Sequence, residues 1–202
     1  MKIKRNFGAR RVGGNWIVSS SINRGVVAHQ KNGQRHMRIY WINELRKPGK
    51  LGIMPRPKGG EWLSDEIKSL VQRNISTVVS HLETIEEIEL DISSERRQCI
   101  ESGIKFISYP IPDRDLPKDL NSYLDLITEI NSKLENGENV IIHCRMGIGR
   151  TGITAASVMI KNGWKTEQAF KLLSELRTLE MPDTKEQIEF VEKIKEALQQ
   201  RI

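Results

Sequence analysis

NVIIHCRMGIGRTG, residues 139–152, joins an apolar run to a glycine-studded turn and then to the helix-forming segment TGITAASVMIKNG. Val140, Ile141 and Ile142 are β-branched and consecutive, as a strand covered on both faces requires. Gly137 bounds the run upstream, and Gly147 and Gly149 bound it downstream. Strand, tight turn and helix in succession form half of a βαβ unit, and the pattern recurs along the chain. ISTVVSHL (75–82) and KFISYPIP (105–112) read as further strands, the second stopped by prolines that cannot donate to a ladder. RIYWI (38–42) and KLGIMPRP (50–57) read as two short strands joined by the turn-prone RKPGK.

Helical periodicity fills the intervals. In EWLSDEIKSLVQRN (61–74), Trp62, Ile67, Leu70 and Val71 predict an inward face. PKDLNSYLDLITEINSKLENG (117–137) opens on proline and closes on glycine, with Leu120, Leu124, Ile127 and Leu134 along one side. A Glu-rich stretch followed by SSERRQCIESG (93–103) supplies one or two helices, and TEQAFKLLSELR and TKEQIEFVEKIKEALQQR close the chain. Strands alternating with helices predict an α/β fold: a single domain with a mostly parallel central sheet flanked by helices.

Composition limits the alternatives. At 202 residues the chain fits one domain with an extension. Cys99 and Cys144 lie far apart without a CxxC or a His/Cys cluster, so neither a disulfide framework nor a metal site is expected. Reduced thiols and a cytoplasmic location follow from that reading. No run approaches the ~20 apolar residues of a membrane span, and the basic N-terminus lacks an apolar signal core, so no membrane association is expected. The net charge of +6 is uneven: residues 1–50 hold twelve Lys or Arg and one acidic residue, Glu44, so the remainder is mildly acidic. Residues 1–36 therefore read as a basic, disordered N-terminal extension and 37–202 as the domain. Nucleic-acid binding through that arm is the weaker reading.

Cys144 arrives at the carboxyl end of its strand, where open α/β sheets place their ligands. The glycines after it permit positive φ and let main-chain N–H groups converge, and the positive end of the next helix points the same way. Such a turn is an anion cradle, and cysteines in surroundings of this kind ionise more readily than a free thiol. Arg150 is placed to reach back and hold two phosphate oxygens in a bidentate fork.

HCRMGIGRTG resembles the signature of the protein tyrosine phosphatase superfamily: His-Cys, five residues, Arg, then Ser or Thr. With IMPRPKGGEWLSDEI, TVVSHLE and YPIPDRD, it resembles dual-specificity phosphatases of the cyclin-dependent kinase inhibitor 3 type and their bacterial relatives, over about residues 38–200. The resemblance implies that Cys144 is the nucleophile, forming a cysteinyl-phosphate, and that Arg150 clamps the phosphate. Arg145, Met146, Gly147, Ile148 and Gly149 would complete the substrate-binding loop. Thr151 would assist the thiolate as leaving group, and His143 would orient the loop from behind. The general acid implied by YPIPDRDLP is Asp113, with Asp115 as second candidate and as an alternative N-cap for the next helix. Prolines 110, 112 and 117 would restrict that loop to a hinged flap.

MPDTKEQIEF resembles the glutamine loop that positions hydrolytic water in the classical enzymes, but Asp183 replaces its first glutamine. Gln187 matches the second, and Thr184 and Gln187 read equally as an N-cap and an exposed position of the last helix. Arg56 and His81 read as structural, and Cys99 as a buried hydrophobe. The implied activity is hydrolysis of phosphotyrosine in proteins, with phosphoserine and phosphothreonine as further candidates. No cofactor or metal, a phosphoprotein substrate and a monomeric state go with that reading. A catalytically silent phosphoprotein-binding module is the alternative. Rhodanese-like sulfur transfer does not explain the upstream acid loop.

Overall fold

The computed structural model describes residues 10–12, 15–17 and 37–200 and divides into two units. In the first unit, β1 (Arg10–Val12) pairs antiparallel with β2 (Asn15–Ile17). The expectation of a disordered extension over 1–36 otherwise lies outside the described residues.

The second unit is built on a five-stranded sheet in the order β3-β4-β7-β5-β6. β3 (Tyr40–Trp41) runs antiparallel to β4 (Leu51–Pro55) at one edge. β4, β7 (Val140–Cys144), β5 (Thr77–Ser80) and β6 (Lys105–Ser108) are mutually parallel. The strand that carries Cys144 is therefore central, with Pro55 opposite Cys144 on one side and Ser80 opposite His143 on the other.

Successive strand residues point to opposite faces, and both faces here are apolar. Ile53, Val79, Val140 and Ile142 enter a core that includes Tyr123, Leu124 and Ile127 of α4 (Leu120–Glu135), Ile153 of α5 (Gly149–Lys161), Leu173 of α6 (Thr166–Arg177) and Ile194 of α7 (Lys185–Gln200). Met54, Val78 and Ile141 enter the opposite layer, against Leu63, Ile67 and Leu70 of α1 (Leu63–Gln72) and Cys99 of α3 (Glu95–Glu101). Each such side chain withdrawn from water contributes roughly 1.5–3 kcal/mol. α5 is buried from Gly149 through Ile160, and α4, α6 and α7 all pack on it. A helix enclosed on all sides needs apolar or small residues all round, which GITAASVMI supplies.

Three expected core positions are corrected. Trp62 and Val71 are 44% and 43% exposed, because α1 starts only at Leu63 and its buried stripe is Leu63, Ile67 and Leu70. Val71 lies about 70° round the helix from the middle of that stripe. Leu120 is 41% exposed because it is the first residue of α4. Asp119, not Asp115, caps that helix: its Oδ1 accepts the Ser122 N–H, while Asp115 Oδ1 accepts the N–H of Leu116 at 2.8 Å.

Candidate active site

Residues 145–148 connect the end of β7 to the start of α5 and are pinned from three sides. Arg56 N–H donates to Arg145 O at 3.4 Å, Arg177 Nη2 to Met146 O at 2.8 Å, and Gly152 N–H to Ile148 O at 2.8 Å. Gly147 adopts φ 68°, and a side chain there would run into the Met54 carbonyl. This turn has room only for glycine. The consequence reaches the sulfur, because the Gly147 N–H donates to Cys144 Sγ at 3.3 Å. Cys144 is free and only 3% exposed.

Arg150, in the first turn of α5, is 2% exposed, and its guanidinium is enclosed by oxygens. Nη1 donates to Glu86 Oε2 at 2.6 Å, to Ile111 O at 2.9 Å and to His81 O at 3.2 Å. Nη2 donates to Glu86 Oε1 at 2.9 Å and to Asp113 Oδ1 at 2.9 Å. Burial opposes the charge on Glu86, but hydrogen bonds from Arg150 and the Glu83 main chain, with the nearby Arg150 and Arg145 charges, outweigh it and hold the carboxyl below its usual range. Burial also opposes the guanidinium charge, and Glu86, Cys144 and Asp113 together push Arg150 above its usual range. The arginine is a fixed cation fastened on its inner side by a bidentate carboxylate. Asp113, whose side chain is 63% exposed, meets it from a loop.

The other sequence-predicted residues fall round the same loop. The Thr151 hydroxyl is buried and has no hydrogen-bond partner among the described residues. Met146 is 61% exposed, and Arg145, turned outward, pairs with Glu89 at 3.1 Å. A side chain at Gly149 would collide with Asp183 and crowd Gln187, so both lie against the loop. Gln187 is fully buried; the exposed alternative is set aside, although Thr184 does accept the Gln187 N–H as a cap. Gln187 Oε1 accepts the Asp183 N–H at 3.1 Å, and its Nε2 has no partner among the described residues.

His81 is buried with both ring nitrogens engaged, Nδ1 with Tyr109 O at 2.8 Å and Nε2 with Thr154 Oγ1 at 2.9 Å. Burial is the main cause that lowers it to about 4, aided by the His143 and Arg150 charges and opposed by the Tyr109 carbonyl. A group depressed in the folded state takes up its proton first in the unfolded chain. Its stabilisation is therefore complete above the ordinary value of 6.5 and is lost as the pH falls toward about 4. Urea midpoints should decline across that interval, with the His81 imidazole resonances still unshifted at its upper end. Resonances that titrate with the ordinary midpoint would contradict this.

Three residues of this site were not singled out by the sequence: Glu86, Arg177 and Glu95, whose Oε1 lies 3.1 Å from His143 Nε2. Glu86 and Glu95 stand in runs that read as solvated helix faces, and Arg177 is the last residue of an ordinary amphipathic helix.

Residues 52–164 match the family model described as polymorphic toxin system, DSP-PTPase phosphatase. The chain belongs to this phosphatase family. Among curated relatives of this DSP-PTPase chain, "Putative tyrosine phosphatase 197R" of Invertebrate iridescent virus 6 is 31% identical over 111 residues, covering 52% of the chain and 40% of the relative. Protein phosphatase Slingshot homolog 2 of Homo sapiens is 22% identical over 126 residues, covering 62% of the chain and 8% of the relative. The chain thus spans less than half the length of either. Among solved structures, kinase-associated phosphatase superposes with a TM-score of 0.76 at 20% identity, covering 82% of this chain and 98% of that one. Tk-PTP in its active form gives a TM-score of 0.63 at 23% identity over 73% of this chain and 92% of the other. The fold is therefore that of the tyrosine phosphatase-like α/β domains.

Proposed function

We propose that the chain is a cysteine-dependent phosphatase that hydrolyses phosphotyrosine, and also phosphoserine or phosphothreonine, in protein substrates. The observation that carries this reading is the loop between β7 and α5, in which the Gly147 N–H donates to Cys144 Sγ and the first turn of α5 brings the Arg150 charge within electrostatic reach of the same cysteine. The relatives are named as tyrosine and protein phosphatases, and in the kinase-associated phosphatase the catalytic-site residue replaced by serine is a cysteine.

In the first step the Cys144 sulfur attacks phosphorus, the S–P bond forms and the P–O bond to the substrate side chain breaks. Asp113 gives its proton to the departing oxygen. In the second step water attacks phosphorus, the S–P bond breaks and Asp113 takes the water proton. The unpartnered Thr151 hydroxyl is available to donate to the leaving thiolate. Loop N–H groups and Arg150 hold the equatorial oxygens throughout. Asp113 accepts from Arg150 Nη2, so a phosphate that takes this donor frees the carboxyl beside the leaving group.

The test is hydrolysis of 4-nitrophenyl phosphate by the purified chain in the presence of a chelator. Absent turnover with retained phosphopeptide binding would favour the silent binding module. Asp113→Asn should lower kcat by roughly 10²–10⁴, most severely for alkyl phosphates, whose leaving groups need the proton most. Equal losses on alkyl and nitrophenyl esters, or a larger loss in Asp115→Asn, would move the acid elsewhere. Residues 37–202 are proposed as the catalytic part, acting as a monomer. Two free thiols, both buried, suit a reducing compartment such as the cytoplasm.

A further inference from the structure

Immediately before the nucleophile, His143 turns its side chain into the sheet face opposite α5. It is fully buried, Glu95 is 2% exposed, and Nε2 and Oε1 approach to 3.1 Å. Neither Glu95 oxygen and neither His143 ring nitrogen has an aligned hydrogen bond among the described residues. A buried carboxylate without hydrogen bonds is costly, and the imidazole 3.1 Å away is the group placed to offset it. His81, the other buried histidine of this site, differs: neutral partners engage both its nitrogens.

The groups that surround Glu95 leave it to His143. On α3, one turn along, Cys99 is pushed up to about 12 by burial and by the Glu95 carboxylate. From α2 (Thr84–Glu89), Glu87 is raised by burial and by the same carboxylate, against opposing effects of His143 and Arg96. Neither supplies a counter-charge. Meanwhile the His143 backbone is locked, since its carbonyl accepts the His81 N–H at 3.0 Å and the residue pairs with Ser80 across the ladder. The orientation of the buried ring is then set by what its side chain meets, and Glu95 Oε1 lies 3.1 Å from its Nε2.

We propose that Glu95 is a positioning residue for the nucleophile: its buried carboxylate faces His143 Nε2 and selects the tautomer that carries hydrogen there, fixing the imidazole of the residue that precedes Cys144. A carboxylate behind an imidazole fixes tautomer and ring orientation in this way wherever histidine works next to a reacting centre. The proposal rests on the phosphatase reading for its kinetic consequence, but not for its proton.

The test uses the full chain labelled with ¹⁵N-histidine, as wild type, Glu95→Gln, Glu95→Asp and His143→Asn. In the wild type the His143 nitrogen shifts should report a protonated Nε2 at neutral pH. Glu95→Gln should abolish that signature and lower kcat about tenfold with KM within about twofold, a loss confined to the chemical step. Glu95→Asp should recover part of both, and Glu95→Gln in the His143→Asn background should cost nothing more. Wild-type kcat and unchanged shifts in Glu95→Gln, or losses that add in the double variant, would overturn the proposal. If Glu95→Gln does not fold, Glu95→Asp decides: displaced shifts with reduced kcat support the role, and displaced shifts with wild-type kcat refute it. A wild type without turnover would defeat the phosphatase reading alone; the nitrogen shifts would still decide whether Glu95 holds the proton.

Discussion

Replacing Cys144 by serine is expected to abolish hydrolysis of 4-nitrophenyl phosphate, a loss of about four or more orders of magnitude, comparable to deleting the nucleophile of other covalent hydrolases. Oxyanion binding should survive. The donors that would receive the anion belong to the backbone and to Arg150: the Gly147 N–H, held by a glycine with positive φ, and the guanidinium fastened to Glu86. Serine changes neither. It does replace a polarisable sulfur nucleophile with a hydroxyl, a far weaker one, so the S–P bond of the first step has no counterpart. Calorimetric titration with vanadate or phosphate, beside the turnover assay, separates the two effects. Lost binding would mean that the sulfur itself builds the cradle, and retained turnover would remove Cys144 from the chemistry.

Glu86→Ala should be the most damaging substitution for stability. Glu86 and Arg150 are nearly inaccessible and joined by two hydrogen bonds of 2.6 and 2.9 Å. Removing one partner of a buried ion pair leaves the other charge uncompensated, at about 3–5 kcal/mol. That is a large share of the ~5–15 kcal/mol that holds a domain folded. Ile111 O, His81 O and Asp113 would remain to Arg150, so the guanidinium should lean on Asp113 and slow its release as an acid.

The pH dependence has a defined sign. Because the folded Glu86 carboxyl lies below its ordinary value, its contribution is complete above the unfolded carboxyl range and is lost as the pH falls through the folded value. Urea denaturation of wild type and Glu86→Ala should therefore differ most near neutrality and converge in acid. A constant difference across that range would show that the pair is not the source.

α2 explains why Glu86 could not be found by reading the sequence. In ETIEEIEL, residues 83–90, pattern reasoning buries the isoleucines and exposes the acids, but Ile85 and Ile88 are 60% and 61% exposed while Glu86 is inside. The inversion depends on a cation brought from a different part of the chain by the α5 turn, and no local periodicity carries that information. Glu95 is hidden for the same reason, as its partner lies on β7. By contrast, the strand, turn and helix around Cys144 were legible because each is fixed locally. β-branched residues set the strand, a glycine at positive φ sets the turn, and small apolar residues set the enclosed helix. The order of strands in the sheet and the true starts of α1 and α4 depend on packing and caps, and those starts displaced Trp62 and Leu120 from the core.

The central claim is a covalent bond between Cys144 and phosphorus. Rapid acid quench of the wild-type chain during turnover of a ³²P-labelled phosphotyrosine peptide, followed by digestion and mass spectrometry, tests it directly. The label is predicted on the peptide that contains Cys144, and it should be absent from Cys144→Ser. Steady turnover with no label at Cys144, or with label on another residue, would contradict the account.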